Sequence, residues 1–338
     1  MTRTAVIGSG AWGTAFGQVL ADAGNEVALW GHDDALCRRI NAEHVNDAHL
    51  PGVRLPEAVT ASSDVAVVLA DAELVAVAIP VQVARAVLEP MAGLVPAGAR
   101  VVSLMKGVEL ATDVRASQVM TQALSLPDER IAVLSGPNLA KEIAARQPTA
   151  TVVASVSEET ALAASRTVQS AYFRPYISSD VVGVELCGAV KNVIALAVGI
   201  SQGRGFGYNT MATVITRGLA EIRRLGLALG ADAETFGGLA GVGDLMATCA
   251  SPASRNHSVG MLLGQGLSLD EAIAATEGTA EGVKTSHAVA ELAVSLGVEM
   301  PITQAVVKVL YGGLPIDEMA SLLLARPLKA EAADVPLD

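Results

Sequence analysis

The chain has 338 residues, 51% of them hydrophobic, 17% charged and only 3% aromatic, which excludes a disordered or collagen-like protein and suits two domains of roughly 150 residues each. Its formal net charge of −12 is opposite in sign to what a nucleic-acid or anionic-membrane binder needs, so neither partner is expected. Three widely spaced cysteines, Cys37, Cys187 and Cys249, match neither a disulfide framework nor a zinc spacing and suit a reducing compartment, the cytoplasm.

The first predicted element is a strand over residues 4–8, with no signal-peptide pattern ahead of it. A helix follows over residues 11–23, and further strands are expected at 26–30, 74–79, 100–104, 131–134, 151–155 and 172–178. Val-rich runs with few polar alternations belong to strands covered on both faces, hence to a parallel sheet flanked by helices. From about residue 180 the chain reads as helices, at 183–201, 210–229, 237–247, 255–264, 269–276, 282–297 and 302–310. Gly230, Gly266 and Gly297 stand where C-terminal caps belong, and Ser268-Leu269-Asp270-Glu271 reads as a helix start. The expected fold is α/β: a Rossmann-type, mostly parallel sheet domain over residues 1–180, an all-helical domain over 181–326 and a loose tail over 327–338. The most apolar window, residues 181–200, is long enough to tempt a transmembrane assignment. It contains Glu185, Lys191 and Asn192, and a central charge is costly in lipid, so it reads as a buried helix with no membrane insertion.

Gly8-Ser9-Gly10-Ala11-Trp12-Gly13 closes the first strand and opens the first helix. In that setting a G-x-G-x-x-G run has a physical logic. Gly8 allows the tight turn, Gly10 lets a pyrophosphate approach the backbone, and Gly13 permits close helix–strand packing. The anion then sits at the helix N-terminus, where unpaired N–H groups and the macrodipole face it. The expected cofactor is NAD or NADP. At the end of the second strand, in Trp30-Gly31-His32-Asp33-Asp34, Asp33 is placed to take ribose hydroxyls, while His32 could contact a 2′-phosphate or stack on adenine; the choice stays open.

Three cations stand out against the acidic background. Lys106 ends the fourth strand, at the carboxyl edge where ligands of parallel sheets bind. Lys191 lies in an otherwise apolar helix, so desolvation should lower its pKa and a second cation nearby should lower it further, which suits a group that gives and takes a proton near neutral pH. The plainer account is a snorkelling side chain, or an ion pair with Glu185. The two stand six residues apart and do not share a helix face. Arg255 and Asn256 follow Ser254, which caps a helix, and together they offer a guanidinium, an amide and free N–H groups to a phosphate; a solvent-facing first turn is the alternative. Asp244 reads as a turn aspartate. Gly199-Ile200-Ser201-Gln202-Gly203 matches G-x-S-x-G but follows a helix, so no nucleophile elbow is expected. The five histidines show no metal spacing and read mostly as surface residues.

These residues resemble the bacterial-type NAD(P)-dependent glycerol-3-phosphate dehydrogenases over nearly the whole chain. The matching segments are Gly8-Ser9-Gly10-Ala11-Trp12-Gly13-Thr14-Ala15, Lys106-Gly107-Val108-Glu109, Ser135-Gly136-Pro137-Asn138-Leu139-Ala140-Lys141-Glu142, Glu185-Leu186-Cys187-Gly188-Ala189-Val190-Lys191-Asn192, Thr216-Arg217-Gly218-Leu219-Ala220-Glu221, Gly243-Asp244-Leu245 and Ser251-Pro252-Ala253-Ser254-Arg255-Asn256. The resemblance implies a layout like that of 6-phosphogluconate dehydrogenase and reversible reduction of dihydroxyacetone phosphate, a phosphorylated triose, to sn-glycerol 3-phosphate for phospholipid synthesis. It implies Lys191 as proton donor, with Lys106 beside substrate and cofactor. It implies substrate contacts from Gly136, Asn138, Asn192, Asp244, Ser254, Arg255 and Asn256. Cofactor contacts would come from the glycine turn with Ala11 and Trp12, and from His32, His49, Lys106, Ala140, Arg255, Thr279 and Glu281. Tyr208 departs from the family, standing where an acidic residue is expected. The residues alone leave two rivals: another two-domain dehydrogenase acting on a 3-hydroxy or keto acid, and a non-catalytic NADPH sensor. The apolar helical half is compatible with a homodimer, and no metal is expected.

Overall fold

The computed structural model describes residues 2–110, 112–276, 280–327 and 331. Its strands are β1 (Arg3–Ile7), β2 (Glu26–Trp30), β3 (Val45–Asn46), β4 (Leu50–Arg54), β5 (Val59–Ser62), β6 (Leu74–Val77), β7 (Arg100–Ser103), β8 (Ile131–Ser135), β9 (Thr149–Ala154) and β10 (Phe173–Ser178). The helices of the sheet half are α1 (Ala11–Asp22), α2 (Asp34–Glu43), α3 (Val65–Leu69), α4 (Val81–Leu88), α5 (Ala116–Leu124), α6 (Ala140–Ala144) and α7 (Glu158–Val168). Then come α8 (Val181–Gly203), α9 (Tyr208–Ala228), α10 (Asp244–Ala250), α11 (Arg255–Gly264), α12 (Leu269–Ala274), α13 (Glu281–Ser295), α14 (Pro301–Tyr311) and α15 (Ile316–Leu324).

The main sheet runs β5-β2-β1-β6-β7-β8-β9-β10. Neighbours are parallel except β8 and β9, which are antiparallel. The order reverses between β1 and β6, and the crevice beyond the carboxyl ends at such a switch point is where open α/β sheets bind ligands. Both faces are covered, which is why the strands read as unbroken apolar runs. Val6 packs with Phe16, Leu29 and Leu134 on one face, while Ala5 and Ile7 pack with Val75, Val101 and Met120 on the other.

In the helical half α8 forms the axis, its most apolar window 89% buried among its neighbours. Length and composition alone would let this helix cross a membrane; here other helices enclose it. Its crossing with α11 is unusually close because Gly199 and Gly203 face Gly260 and Gly264: a Cβ at Gly199 would collide with the carbonyl of His257, and one at Gly260 with that of Leu196. Backbone thus rests on backbone, and the start of α11 is held at a fixed distance from α8.

Several expectations need correction. The β3–β4 hairpin and β5 were not foreseen, since two to five residues carry little periodic signal. β9 runs antiparallel to β8 and parallel to β10, a direction the sequence does not show because a Val-rich run reads alike either way. The helix expected at 237–247 is three pieces: a 3-10 turn (Ala233–Gly237), a π turn (Leu239–Gly243) and then α10. Gly241 allows this, since a Cβ there would meet the Phe236 backbone. α15 was also unforeseen. Gly230, Gly266 and Gly297 do adopt positive φ, at 86°, 101° and 65°, and Ser268 with Glu271 forms a capping box. Ser201, in the G-x-S-x-G run, lies buried inside α8 and donates to the Ala197 carbonyl. Most of the tail at 327–338 lies outside the described residues.

Candidate active site

The glycine turn sits at the β1–β6 switch point. Gly8 has φ 120°, and a Cβ there would lie 2.5 Å from the Ala78 carbonyl oxygen. A Cβ at Gly13 would collide with the Gly8 carbonyl, whereas one at Gly10 would meet none of the described residues within 4 Å. Two glycines are therefore required by the protein itself, and the third opens space at the head of α1. That helix has no side-chain cap, so its first N–H groups, at Ala11, Trp12 and Gly13, are available to an anion. The buried indole N–H of Trp12 has no partner among the described residues. The donors of this cradle suit a pyrophosphate in charge and number.

The turn is braced by the β3–β4 hairpin, whose Asn46 donates to the Ser9 carbonyl and the Thr14 hydroxyl, both at 2.8 Å. His49 is exposed on that hairpin and His32 is exposed just beyond β2. Asp33, read as a ribose ligand, is the N-cap of α2, its Oδ1 accepting from Ala35 N–H at 2.9 Å and Leu36 N–H at 3.2 Å. Ala140 is the first residue of α6. Thr279 lies outside the described residues.

Across the sheet edge from this cradle a cluster of buried charge gathers. Asp244, which local sequence suggested was a turn residue, is instead the first residue of α10 and 1% exposed. Its Oδ2 accepts from Lys106 Nζ at 2.8 Å, and its Oδ1 pairs with Lys191 Nζ. Lys191 also donates to the Thr248 hydroxyl at 2.7 Å, and Lys106 donates to the Gly136 carbonyl at 3.2 Å. Burial, only partly opposed by Asp244 and reinforced by Lys106, brings the Lys191 pKa down to about 8. Glu281, half-buried at the first turn of α13, is pushed up to about 7 by burial, although the charges of Arg255, Lys106 and Lys191 and the Val81 N–H oppose the shift.

Around this cluster stand further polar groups, on α8, α11 and the loop after β8. Ser254 caps α11, accepting from His257 N–H at 3.3 Å, and Arg255 is exposed at the head of the helix. Gly282 N–H donates to Asn256 Oδ1 at 2.9 Å, which leaves the Asn256 amide N–H₂ as donor. Asn138 donates to Thr151 at 3.0 Å, and its buried Oδ1 has no partner among the described residues. Asn192 reaches the Lys106 carbonyl at 3.4 Å. His257, contrary to the surface reading of the histidines, is 4% exposed and pairs through Nε2 with Gln202.

The structure thus brings Lys106, Lys191, Asp244, Gly136 and Asn192 into one hydrogen-bonded group, with Glu281 and Arg255 within electrostatic reach. Thr248 escaped sequence reasoning. Its only local signal is the four-residue spacing from Asp244, which puts both on one helix face. Glu185, weighed as a partner of Lys191, instead pairs with Arg115.

Residues 3–161 match the family described as NAD-dependent glycerol-3-phosphate dehydrogenase N-terminus, and residues 180–321 match its C-terminus. The chain is 54% identical over 332 residues to a glycerol-3-phosphate dehydrogenase (NAD(P)+) of Thermobifida fusca, covering 98% of this chain and 99% of that one. It is 52% identical to the enzyme of the same name from Corynebacterium aurimucosum, covering 98% and 100%. Among solved structures, the glycerol-3-phosphate dehydrogenase of Coxiella burnetii superposes with a TM-score of 0.91 at 36% identity, covering 96% of this chain and 98% of that one.

Proposed function

The chain belongs to the NAD-dependent glycerol-3-phosphate dehydrogenase family, and from that membership we propose how its own residues carry the reaction. The reaction is the reversible NAD(P)H-dependent reduction of dihydroxyacetone phosphate to sn-glycerol 3-phosphate. Residues 1–180 form the cofactor half and 181–326 the substrate half. The Ala11, Trp12 and Gly13 N–H groups at the head of α1 would hold the cofactor, whose chemistry when bound would be hydride transfer to the carbonyl carbon.

As the carbonyl carbon is reduced, negative charge grows on its oxygen. Lys191 donates its Nζ proton to that oxygen and is left as a neutral amine, a change its lowered pKa makes inexpensive. Asp244 and Thr248 fix the direction of Nζ, and Lys106 adds positive potential from the sheet side. In the reverse direction the amine takes the hydroxyl proton of glycerol 3-phosphate. Arg255, the Asn256 amide and the free N–H groups of α11 seat the phosphate, while Asn138 Oδ1 accepts from the substrate hydroxyl.

Two negatively charged reactants approach a protein of charge −12. Beyond about 8 Å at physiological salt its acidic surface is screened, so the local cations decide binding. The observation that carries the proposal is the buried Lys191–Asp244–Lys106 arrangement. A spectrophotometric assay tests it: reduced cofactor is consumed on adding dihydroxyacetone phosphate to the wild type. In Lys191→Ala turnover should drop by on the order of 10²–10⁴ while cofactor still binds. Near wild-type turnover in that variant would remove Lys191 from the mechanism.

A further inference from the structure

Lys106 and Lys191 lie on different halves of the chain, and one carboxylate joins the segments that carry them. Glu185, in the second turn of α8 and 8% exposed, reaches the first turn of α5. Its Oε1 accepts from Ser117 N–H and its Oε2 from the Ser117 hydroxyl, both at 2.6 Å. The Arg115 guanidinium pairs with the same carboxylate. Arg115 stands at the N-cap of α5, where its side chain cannot accept a hydrogen bond. A carboxylate arriving from α8 therefore satisfies an orphan N–H and opposes the positive end of the helix.

Backbone couples this anchor to Lys106. Val108 and Arg115 form an antiparallel bridge, and Glu109 N–H donates to the Val114 carbonyl at 3.0 Å. The loop is thus closed on itself, with Lys106 two residues before the bridge. Val108 is fully buried in the same core as α8. On its other side Gln82 donates to the Val108 carbonyl at 2.8 Å and accepts from Leu110 N–H at 3.0 Å. Holding Arg115 and Ser117 against α8 therefore holds the root of Lys106 against the helix that carries Lys191.

We propose that Glu185 is a positioning residue for the reaction: by docking the first turn of α5 onto α8, it sets how Lys106 and Lys191 face each other across Asp244. The proposal rests on Lys191 being the proton donor. Lys191 faces Asp244 and Cys249 from α10, Lys106 from the loop after β7 and Glu281 from α13. Among these, Lys106 is the group tied to Glu185. Loosening that tie lets a cation move away from Lys191, which then holds its proton more tightly.

The test compares Glu185→Ala, Glu185→Gln and Ser117→Ala with Lys191→Ala. It measures kcat, KM and the pH dependence of dihydroxyacetone phosphate reduction per folded molecule, the folded fraction coming from thermal unfolding. Glu185→Ala should lower kcat by on the order of 10- to 100-fold, the size expected of a misplacement near 1 Å. It should also move the alkaline limb of the profile upward, with KM for the cofactor little changed. Glu185→Gln keeps an acceptor for Ser117 and should recover part of the loss, and Ser117→Ala should shift both readouts the same way by less. Unchanged kcat and an unshifted limb in Glu185→Gln and Ser117→Ala overturn the proposal, even where Glu185→Ala fails to fold. If Lys191→Ala is inactive while those variants behave as wild type, this inference alone falls. If Lys191→Ala turns over normally, the proton-donor reading falls with it.

Discussion

Lys191 and Asp244 form an ion pair with only 6% and 1% of their surfaces exposed, and the carboxylate is shared with a second cation, Lys106. One negative charge thus serves two positive ones. The surplus is a positive charge, which on the proposed mechanism faces the oxygen of the reacting carbonyl.

Removing the shared charge tests that balance. Asp244→Asn leaves the buried Lys191 and the partly buried Lys106 without the carboxylate they share, and breaking a buried pair in this way costs about 3–5 kcal/mol of stability. Asp244 opposes the fall in the Lys191 pKa, so its loss should move the alkaline limit of reduction below its wild-type position. Chemical denaturation and a pH–rate profile check the two effects. A variant as stable as wild type with an unmoved profile would show that the carboxylate is not the balancing charge.

The phosphate seat proposed at the head of α11 makes a separable prediction. Arg255→Ala should raise KM for dihydroxyacetone phosphate and leave the slow turnover of phosphate-free dihydroxyacetone nearly untouched. Steady-state kinetics with both substrates decide it, and equal losses on the two would assign Arg255 some other role.

The glycine turn predicts a contrast between neighbours. Gly10→Ala adds a methyl where the protein has open space, so thermal stability should hold while KM for the cofactor rises. Gly13→Ala drives a methyl into the Gly8 carbonyl and should cost about 1–3 kcal/mol of stability as well. Thermal unfolding beside cofactor titration distinguishes them; equal destabilisation would mean that the space at Gly10 is not kept for a ligand.

Much of this site was legible in the sequence because its signals are local. The glycine turn follows a strand directly, Lys106 ends a strand, Lys191 interrupts an apolar helix and Ser254 announces the start of α11. What stayed hidden is joined across the chain. Asp244 lies 53 residues from Lys191 and 138 from Lys106, so nothing beside it distinguishes a shared counter-ion from a turn aspartate. Thr248 is an ordinary hydroxyl until α10 is laid against α8. Glu185 finds Ser117 from 68 residues away. The hairpin over the glycine turn was missed for another reason, being too short for periodicity to register.

A buried carboxylate far from the chemistry gives a stability prediction. Glu221 on α9 is 1% exposed and accepts from Ile302 N–H at 2.6 Å and Thr303 N–H at 3.1 Å at the start of α14. Burial outweighs these bonds and pushes its pKa up from 4.5 to about 7. A raised carboxylate favours the fold below its unfolded pKa, and that contribution is lost as pH rises through the folded value. Between about pH 4.5 and 7 the wild type should therefore lose about 3 kcal/mol relative to Glu221→Gln. Denaturant unfolding across that range checks it, and parallel curves for the two proteins would contradict it.

The most direct test of the account is the pH dependence of kcat/KM in both reaction directions, for the wild type and for Lys191→Arg, which cannot release its proton in this range. Reduction needs the Lys191 ammonium and oxidation needs its amine, so with a pKa of about 8 the reduction rate should fall and the oxidation rate rise around that pH, with both limbs gone in Lys191→Arg. Limbs that run the same way, or that persist in Lys191→Arg, would contradict proton transfer by this lysine.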